Sequence, residues 1–576
     1  MVCVAKLLMR VLWLLLPATV HSQFTFITNN GALTITGYTG PSSPVIIPSE
    51  TNGLPVTSIG DGAFNHKTGV SGVTIPNSVT NIGDNAFNSC SGLTNLTLGS
   101  SIKNIGSFAF SHCTSLPDIT LPNSVTNIGD AAFEYCAKLP SVTLPNNITR
   151  IGDGLFVNCT SLTNVNIPNS VTNIGDRAFV NCTSLTNFVI PNGVIRVGRY
   201  AFSSCTSLTI LTIPDSVTDI GGYFVYGSSC LTNIVIPISV TNIEFAAFYY
   251  CPNLTAIMVE SQNSLYSSLD GVLFDKSQIT LIQYPEGKVG SYTIPSGVTS
   301  IGNSAFNACF GLTSVIIPNS VTNIGNSAFA QCLSLINITI PSSVTSIADG
   351  TFSFCPNLTS VTIPSSVTRI GNDVFYNCGK LAKITIPNSV MSIGGSVFYN
   401  CTGLTNVTIP DNVTSLGGGA FIGCTNLVTV TIPGSITNLG NDEFYGCTSL
   451  TGVFFKGNAP QTGTYVFYNA YQATVYYLPG TTGWGATFGD FFGYRPTALW
   501  NPQVQTGGPD FGVRTNRFSF RIIGTTNIPI VVEACTNLAS SAWVSLQSGT
   551  LINGSRYFSD PQWVNYPNRF YRIRWP

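Results

Sequence analysis

Apolar and polar positions along this chain fall into one pattern that keeps returning. Around residue 165, Val165 and Ile167 alternate with Asn164 and Asn166, the two-residue period of a short strand with one buried and one wet side. Pro168 has no N–H to give to a ladder and ends the strand. Asn169 and Ser170 turn the chain, Val171 and Ile174 form a second inward pair, and Gly175 permits another bend. Ala178, Phe179 and Cys182 close the segment. Cysteines then recur at 90, 113, 136, 159, 182 and 205, at 251, and at 309, 332, 355, 378, 401, 424 and 447. The interval is 23 residues, and the gap from 205 to 251 is two intervals, with Ser228 in the missing place and Cys230 two residues on. Only the 58 residues from Cys251 to Cys309 break the register. Sixteen segments carry the phenylalanine position from Phe64 to Phe444, Val225 being the one substitute. A fixed period between about 20 and 50 residues predicts a solenoid, whose coils bury their apolar faces only against one another and so need the same inward set each time.

The ends read differently. Residues 23–57 alternate like strands but lack phenylalanine and cysteine at the repeat positions, as expected of a cap over the first coil; 58–455 are the solenoid, with an irregular unit at 252–305. The aromatic-rich stretch 456–500 reads as a second cap. After the Pro/Gln/Gly-rich "NPQVQTGGPD", short alternating runs such as "RFSFRIIGTT" and "IPIVVEACTNL" predict a small β-sandwich-like module over 501–576. The fold class expected is mainly β.

Composition narrows the function. With 23 Lys plus Arg and 24 Asp plus Glu, 8% of the chain is charged and the net charge is −1, against about 25% charged in ordinary soluble domains. Ser, Thr and Asn fill the wet positions, and nothing here makes a field for nucleic acid. Lys6 and Arg10 precede an apolar stretch ending in small residues near Ser22, which reads as a secretory leader over 1–22. No later apolar run reaches the roughly 20 residues of a spanning helix.

The blended unit, Leu-x-x-Ile/Val-x-Ile/Leu-Pro, Val-x-x-Ile-Gly, then Ala-Phe-x-x-Cys, resembles the treponemal class of leucine-rich repeat found in BspA-like bacterial surface proteins. The likeness covers about residues 30–455, and "SLYSSLDGVLFDKSQITLIQYPEG" resembles a longer variant unit of that family. The resemblance implies a leucine-rich repeat solenoid with short parallel strands, secreted or at the cell surface, that performs no catalysis. It implies binding of an extracellular protein, glycan or cell-surface macromolecule as an adhesin or scaffold. A structural spacer of the envelope or matrix, attached through its C-terminal module, is the other reading.

Candidate chemistry is sparse. Only His66 and His112 follow the leader, no Cys-x-x-Cys, Gly-x-Ser-x-Gly or His-Glu-x-x-His occurs, and neither a metal nor a cofactor is called for. The cysteine column reads as buried thiols packing the turn, because neighbours one strand spacing apart hold their Cβ atoms too far apart for unstrained bridges. Asp61, Asp84, Asp130, Asp153 and Asp176 share one position. Three stacked carboxylates from Asp130 to Asp176 could hold calcium, but an N-cap to a short helical turn before Ala-Phe is the stronger reading. Thr74, Thr97, Thr120, Thr143, Thr339, Thr362, Thr385, Thr408 and Thr431 form the wet strand face. The residue after the repeat phenylalanine is Tyr226, Tyr249, Tyr376, Tyr399 and Tyr445. Packing against the neighbouring turn is the favoured account of these tyrosines; pointing outward, they would form an aromatic ridge, the best binding candidate in the sequence.

Overall fold

A computed structural model describes residues 23–538 and 542–574; the leader expected at 1–22 lies outside the described residues. The chain forms two compact units, one of residues up to 289 with 306–310, the other of 290–305 and 311 onward. Each is a stack of coils joined by parallel ladders at a 23-residue offset. In the first unit Ser141–Thr143 pairs with Asn164–Asn166, and Arg150–Ile151 runs through Asn173–Ile174 and Arg196–Val197 to Asp219–Ile220 and Asn242–Ile243. In the second, Leu312–Ile316, Asn337–Thr339 and Ser360–Thr362 form one ladder, and Ser346–Ile347, Arg369–Ile370, Ser392–Ile393 and Ser415–Leu416 the other. The register breaks where Tyr266–Leu269, Val272–Asp275 and Thr280–Gln283 form an antiparallel meander.

The rest of each coil is an arc of turns, and the helical turn expected there is absent: among the described residues the single helix is a 3-10 turn at Trp563–Asn565. In one coil the amides of Asn85, Phe87 and Ser89 donate to the carbonyls of Ser107, Ala109 and Ser111 in the next. The alternate amides of Ala86, Asn88 and Cys90 turn back onto Gly83, Asn85 and Phe87 of their own coil. Aiming every second amide along the stack requires two left-handed residues per arc, here Asn85 at φ 55° and Ser89 at φ 60°. Asn, Ser and Gly fill most such places because they tolerate that backbone best.

This geometry reassigns the aspartate column. Oδ1 of Asp61 accepts the amide of Asp84 at 2.8 Å, and Asp84, Asp130, Asp153 and Asp176 do the same for the residue 23 places on. The carboxylates cap the next coil instead of a helix, each through its Oδ1. The repeat glycine is explained by the same contact. A Cβ at Gly175 would lie 2.3 Å from Oδ1 of Asp153, so close approach demands glycine there and no unusual φ is involved. Where Gly222 interrupts the aspartate column, Glu244 replaces the next glycine and its carboxylate takes the Gly222 amide at 3.0 Å.

Phenylalanine rings stack inside both units, from Phe64 to Phe202 and from Phe329 to Phe467, with centroids 4.8–5.8 Å apart. At Val225 the preceding Phe224 supplies the ring, edge-on to Phe202 at 5.6 Å. The column cysteines are free and buried. Their thiols also form a ladder: Cys113, Cys136, Cys159, Cys182 and Cys205 donate to the carbonyl of the phenylalanine 26 residues earlier at 3.1–3.3 Å. Ser228, in the one vacant place, makes the same bond at 2.8 Å. The position asks for a small buried donor, which alanine would not supply.

Two buried carboxylates break the pattern. Glu443 stands where the repeat has alanine and is fully buried beside the backbone amides of Ala420 and Gly419, neither of which makes a well-formed hydrogen bond to it, and burial pushes its carboxyl well above the ordinary range. Glu286 is 3% exposed, accepts the Tyr250 amide at 2.7 Å, and is pushed up by burial to about 8. A carboxyl raised by folding contributes full stability below its unfolded value of about 4.5 and loses it as pH rises toward 8. Urea midpoints are therefore expected to fall from pH 5 to pH 8, and Glu286→Gln is expected to flatten that fall. Glu443→Ala is expected to raise stability at pH 8, because folding must keep this carboxyl protonated while the unfolded chain is free to ionise, a cost of about 1.4 kcal/mol per pH unit above the unfolded value. A midpoint independent of pH in this window would count against both assignments.

The parallel ladder continues past residue 455. Thr429–Ile432, Gly452–Phe455, Thr474–Tyr477 and Arg495–Leu499 follow one another in register. On the outward side of that ladder the series Thr408, Thr431, Phe454, Tyr476, Ala498 replaces threonine by aromatic rings. Thr431, expected on the wet face, is buried at 4% exposure. Phe454 and Tyr476 share one core with Phe520, Ile522, Ile528, Ile530, Val532, Leu551 and Phe558. Those residues belong to two antiparallel sheets. One joins Arg517–Ile523 to Gln503–Gln505, Gly512–Arg514 and Ser555–Asp560, the other Pro529–Cys535 to Val544–Thr550 and Phe570–Arg574.

Candidate binding surface on the turn arc

Ala, Phe and Cys of each arc are buried, and the residues two before, one after and two after the phenylalanine form its outer layer, some exposed and others, such as Ser111, Ser203 and Tyr249, covered by the neighbouring coil. The tyrosines singled out from sequence occupy the middle of these places. Tyr376 and Tyr399 stack at 4.4 Å with 9° between their planes, and Tyr445 stacks on Tyr468 at 5.2 Å. Tyr226 lies 4.9 Å from Tyr250 and 5.8 Å from Tyr223, and Tyr249 lies 5.5 Å from Phe245. Tyr226, Tyr376, Tyr399 and Tyr445 are half-buried, and Tyr249 is buried. Rings therefore lean along the stack onto one another, faces covered and edges open to solvent. Burial and then the neighbouring Tyr399 hold the Tyr376 phenol above its ordinary value; for Tyr226 the causes are burial and then Tyr250.

The structure adds aromatics that the single column hides. Phe108, Tyr135, Tyr200, Tyr223, Tyr250, Phe354 and Tyr465 occupy the left-handed places, with φ of 55–57°. A bulky side chain pays for that backbone, about 1 kcal/mol or more relative to the residues suited to it. The signal was legible as rings at positions where other coils place Asn, Ser or Gly. Three groups result. In the first unit Tyr200, Tyr223 and Tyr226 join Phe245, Tyr249 and Tyr250, with the Arg177 guanidinium 6.0 Å from the Tyr200 ring and Arg199 paired to Glu244 at 2.6 Å. In the second unit Phe354 joins Tyr376 and Tyr399. Near its end Tyr465 and Tyr468 join Tyr471 and Phe492, with Arg495 over Tyr471 at 5.2 Å. Such clusters offer rigid, amphipathic contact area at small entropic cost. No cluster of three or more His, Cys, Asp or Glu able to hold a metal occurs among the described residues.

Comparison with known proteins places this architecture. The family model "BspA type Leucine rich repeat region" matches residues 57–186, 172–291, 286–404 and 368–483. Among solved structures, a leucine-rich repeat protein from Bacteroides ovatus ATCC 8483 is 26% identical over 75% of this chain and 98% of its own, with a TM-score of 0.43. A leucine rich cell surface protein from Faecalibacterium prausnitzii A2-165 is 30% identical over 76% of this chain and 94% of its own, TM-score 0.37. The leucine-rich repeat protein of T. pallidum is 27% identical over 35% of this chain and 83% of its own, TM-score 0.27. No curated protein matches.

Proposed function

The chain belongs to the BspA-type leucine-rich repeat family, and from that premise we propose that it is a secreted or cell-surface binding protein whose ligand-bearing surface is the aromatic turn arc. The partner is an extracellular protein, a glycan or another cell-surface macromolecule, and the repeats hold the arc rigid without taking part in chemistry. The observation that carries this reading is the placement of rings at left-handed positions, where they cost stability, in three groups along one edge of the coils. A protein that needed only to stack would put Asn or Gly there. The leader supports export, and no helix among the described residues is long and apolar enough to cross a membrane.

The spacer reading rests on a separate observation. Residues 501–576 hold seven arginines against Asp510, Asp560 and Glu533, 7 − 3 = +4, within a chain of net −1. Arg514 and Arg517 stand exposed on the hairpin between Gly512–Arg514 and Arg517–Ile523 and form no ion pair among the described residues. Such a face suits an anionic envelope polymer. Full-length chains separate the two readings. Saturable binding to cells or to a matrix-protein and glycan panel is expected to weaken at least about tenfold in Tyr376→Ala with Tyr399→Ala, the scale of losing one good contact. If only Arg514→Glu with Arg517→Glu abolishes binding, the repeats are a spacer and the arc is not the site.

A further inference from the structure

One cavity on the arc of the second unit is built unlike its neighbours. It is a shallow, open groove of about 410 Å³, lined by Asn326, Ser327, Asp349, Gly350, Ser353, Phe354, Asp373 and Tyr376, room for one sugar ring laid against its wall rather than for an enclosed ligand. The stacked tyrosines stop here: going back from Tyr399 and Tyr376, the next coil has Ser353, so the far face of the Tyr376 ring is left to Phe354, tilted by 47° at 5.2 Å, and to the cavity. Gly350 forms the floor at φ +62°, and a Cβ there would come 2.9 Å from Oγ of Ser327. Phe354 is 45% exposed and left-handed at φ 56°.

The polar walls are unusually free. Elsewhere the column Asp or Asn caps the next coil, as Asn303 does for Asn326 and Asp349 does for Asn372. Asn326 makes no such bond to Asp349, and the cause is visible in the sequence. Ala348 stands where the repeat has glycine, and a Cβ at that place would crowd the capping oxygen, as it would at Gly371, 2.4 Å from Oδ1 of Asp349. The Asn326 side chain caps no coil and lines the groove. Asp373 is exposed and its carboxylate makes no hydrogen bond or ion pair among the described residues; partial desolvation and then the charge of Asp349 raise it above its ordinary value, and both acids line the groove. An aromatic face beside acids, an amide and hydroxyls matches a pyranose, whose axial C–H groups meet the electron-rich ring while its equatorial hydroxyls donate to carboxylates.

Resting on the reading of the arc as a binding surface, we propose that this cavity is a glycan subsite that takes one pyranose ring, stacked on Tyr376 and Phe354 and held through its hydroxyls by Asp349, Asp373 and Asn326. Saturation-transfer NMR on the full chain, with methyl glucoside, methyl galactoside, glucosamine, N-acetylglucosamine and an oligolysine peptide as probes, tests it. At least one pyranose is expected to bind saturably, and Phe354→Asn and Asp373→Asn are each expected to weaken it about tenfold, one ring or charge-assisted contact. Phe354→Asn is also expected to raise the melting temperature, because asparagine tolerates the left-handed backbone that phenylalanine strains against. No pyranose binding, binding untouched by both substitutions, or binding of oligolysine alone would overturn the subsite. If macromolecular partners still bind in a Tyr399-dependent way in that case, the subsite falls and the arc survives as a binding surface; loss of both removes the wider reading.

Discussion

Raising the pH from 8 to 11 is expected to unfold this solenoid, chiefly through protons lost from the cysteine column. Burial pushes Cys90, Cys159, Cys205 and Cys424 up to about 12, and Cys113, Cys136, Cys182, Cys251, Cys309, Cys378, Cys401 and Cys447 also upward. In the unfolded chain the same thiols ionise near 8.5. A thiol raised by folding contributes full stability below the unfolded value and loses it as pH climbs toward the folded one. Each such thiol removes about 1.4 kcal/mol per pH unit in that window. A handful acting together exceeds the roughly 5–15 kcal/mol that holds a domain folded. Urea midpoints are thus expected to drop steeply between pH 9 and 11. Six serines in place of Cys90, Cys113, Cys136, Cys159, Cys182 and Cys205 are expected to reduce that slope in the first unit, whatever they cost at pH 7, since Ser228 shows that a hydroxyl makes the same bond to the phenylalanine carbonyl. Among the described residues a thiol reagent at pH 7.5 is expected to find one fast site, the exposed Cys230, with the fifteen buried cysteines silent until the chain unfolds. Several fast thiols, or a flat midpoint from pH 9 to 11, would refute this account of the column.

What the sequence made legible follows from how a stack works. Each coil sees the same neighbours, so the inward residues must repeat. Val165, Ile174, Phe179 and Cys182 could thus be read as core from spacing alone, and all four are buried to 8% exposure or less. What spacing hides is which coil a polar group serves. Asp153 follows Ile-Gly just before the Leu155-Phe156 turn, like a helix cap, yet its hydrogen bond comes from the amide of Asp176, 23 residues away. The glycine at 175 looked like a bend and is a close approach to that same carboxylate. Backbone sign is equally silent: nothing in the composition of "FSFC" tells that Phe354 is left-handed, although the Asn, Ser and Gly of other coils at that place do mark it. The exchange of glycine for Ala348 beside Asn326 carries its meaning only once the capping ladder is known. In "VFFKG" two adjacent aromatics blur the alternation, so the outward Phe454 and the inward Phe455 could not be told apart before the register was seen.

Replacing Phe454 and Tyr476 by threonine, the residue that earlier coils carry at this register, is expected to detach the C-terminal sheets while leaving the coils beneath intact. Both rings lie in a core whose other members come from 520–558, and each is at most 8% exposed. The Trp500 indole N–H donates to the Pro529 carbonyl at 2.8 Å, pinning the connection from the far side. Truncating a buried aromatic costs about 3–5 kcal/mol, and two of them in one small core remove a large share of what holds that core together. Threonine suits the solenoid, as Thr408 shows two coils earlier, so the loss falls on the sheets that sit over it. Limited proteolysis reads the outcome. Exposed residues 506–509 are the expected cleavage point, resistant in the parent because both flanks are ordered against one core, and cut rapidly in the double variant with release and degradation of the basic C-terminal piece. If the parent is cut there as fast as the variant and the released piece stays folded, the sheets are an independent tethered module, and attachment through them would leave the repeats free to swing. If the seat holds as the shared core requires, a partner gripped by Arg514 and Arg517 and a partner gripped by the arc beside Tyr445 and Tyr468 are held in a fixed relation by one unit of the chain.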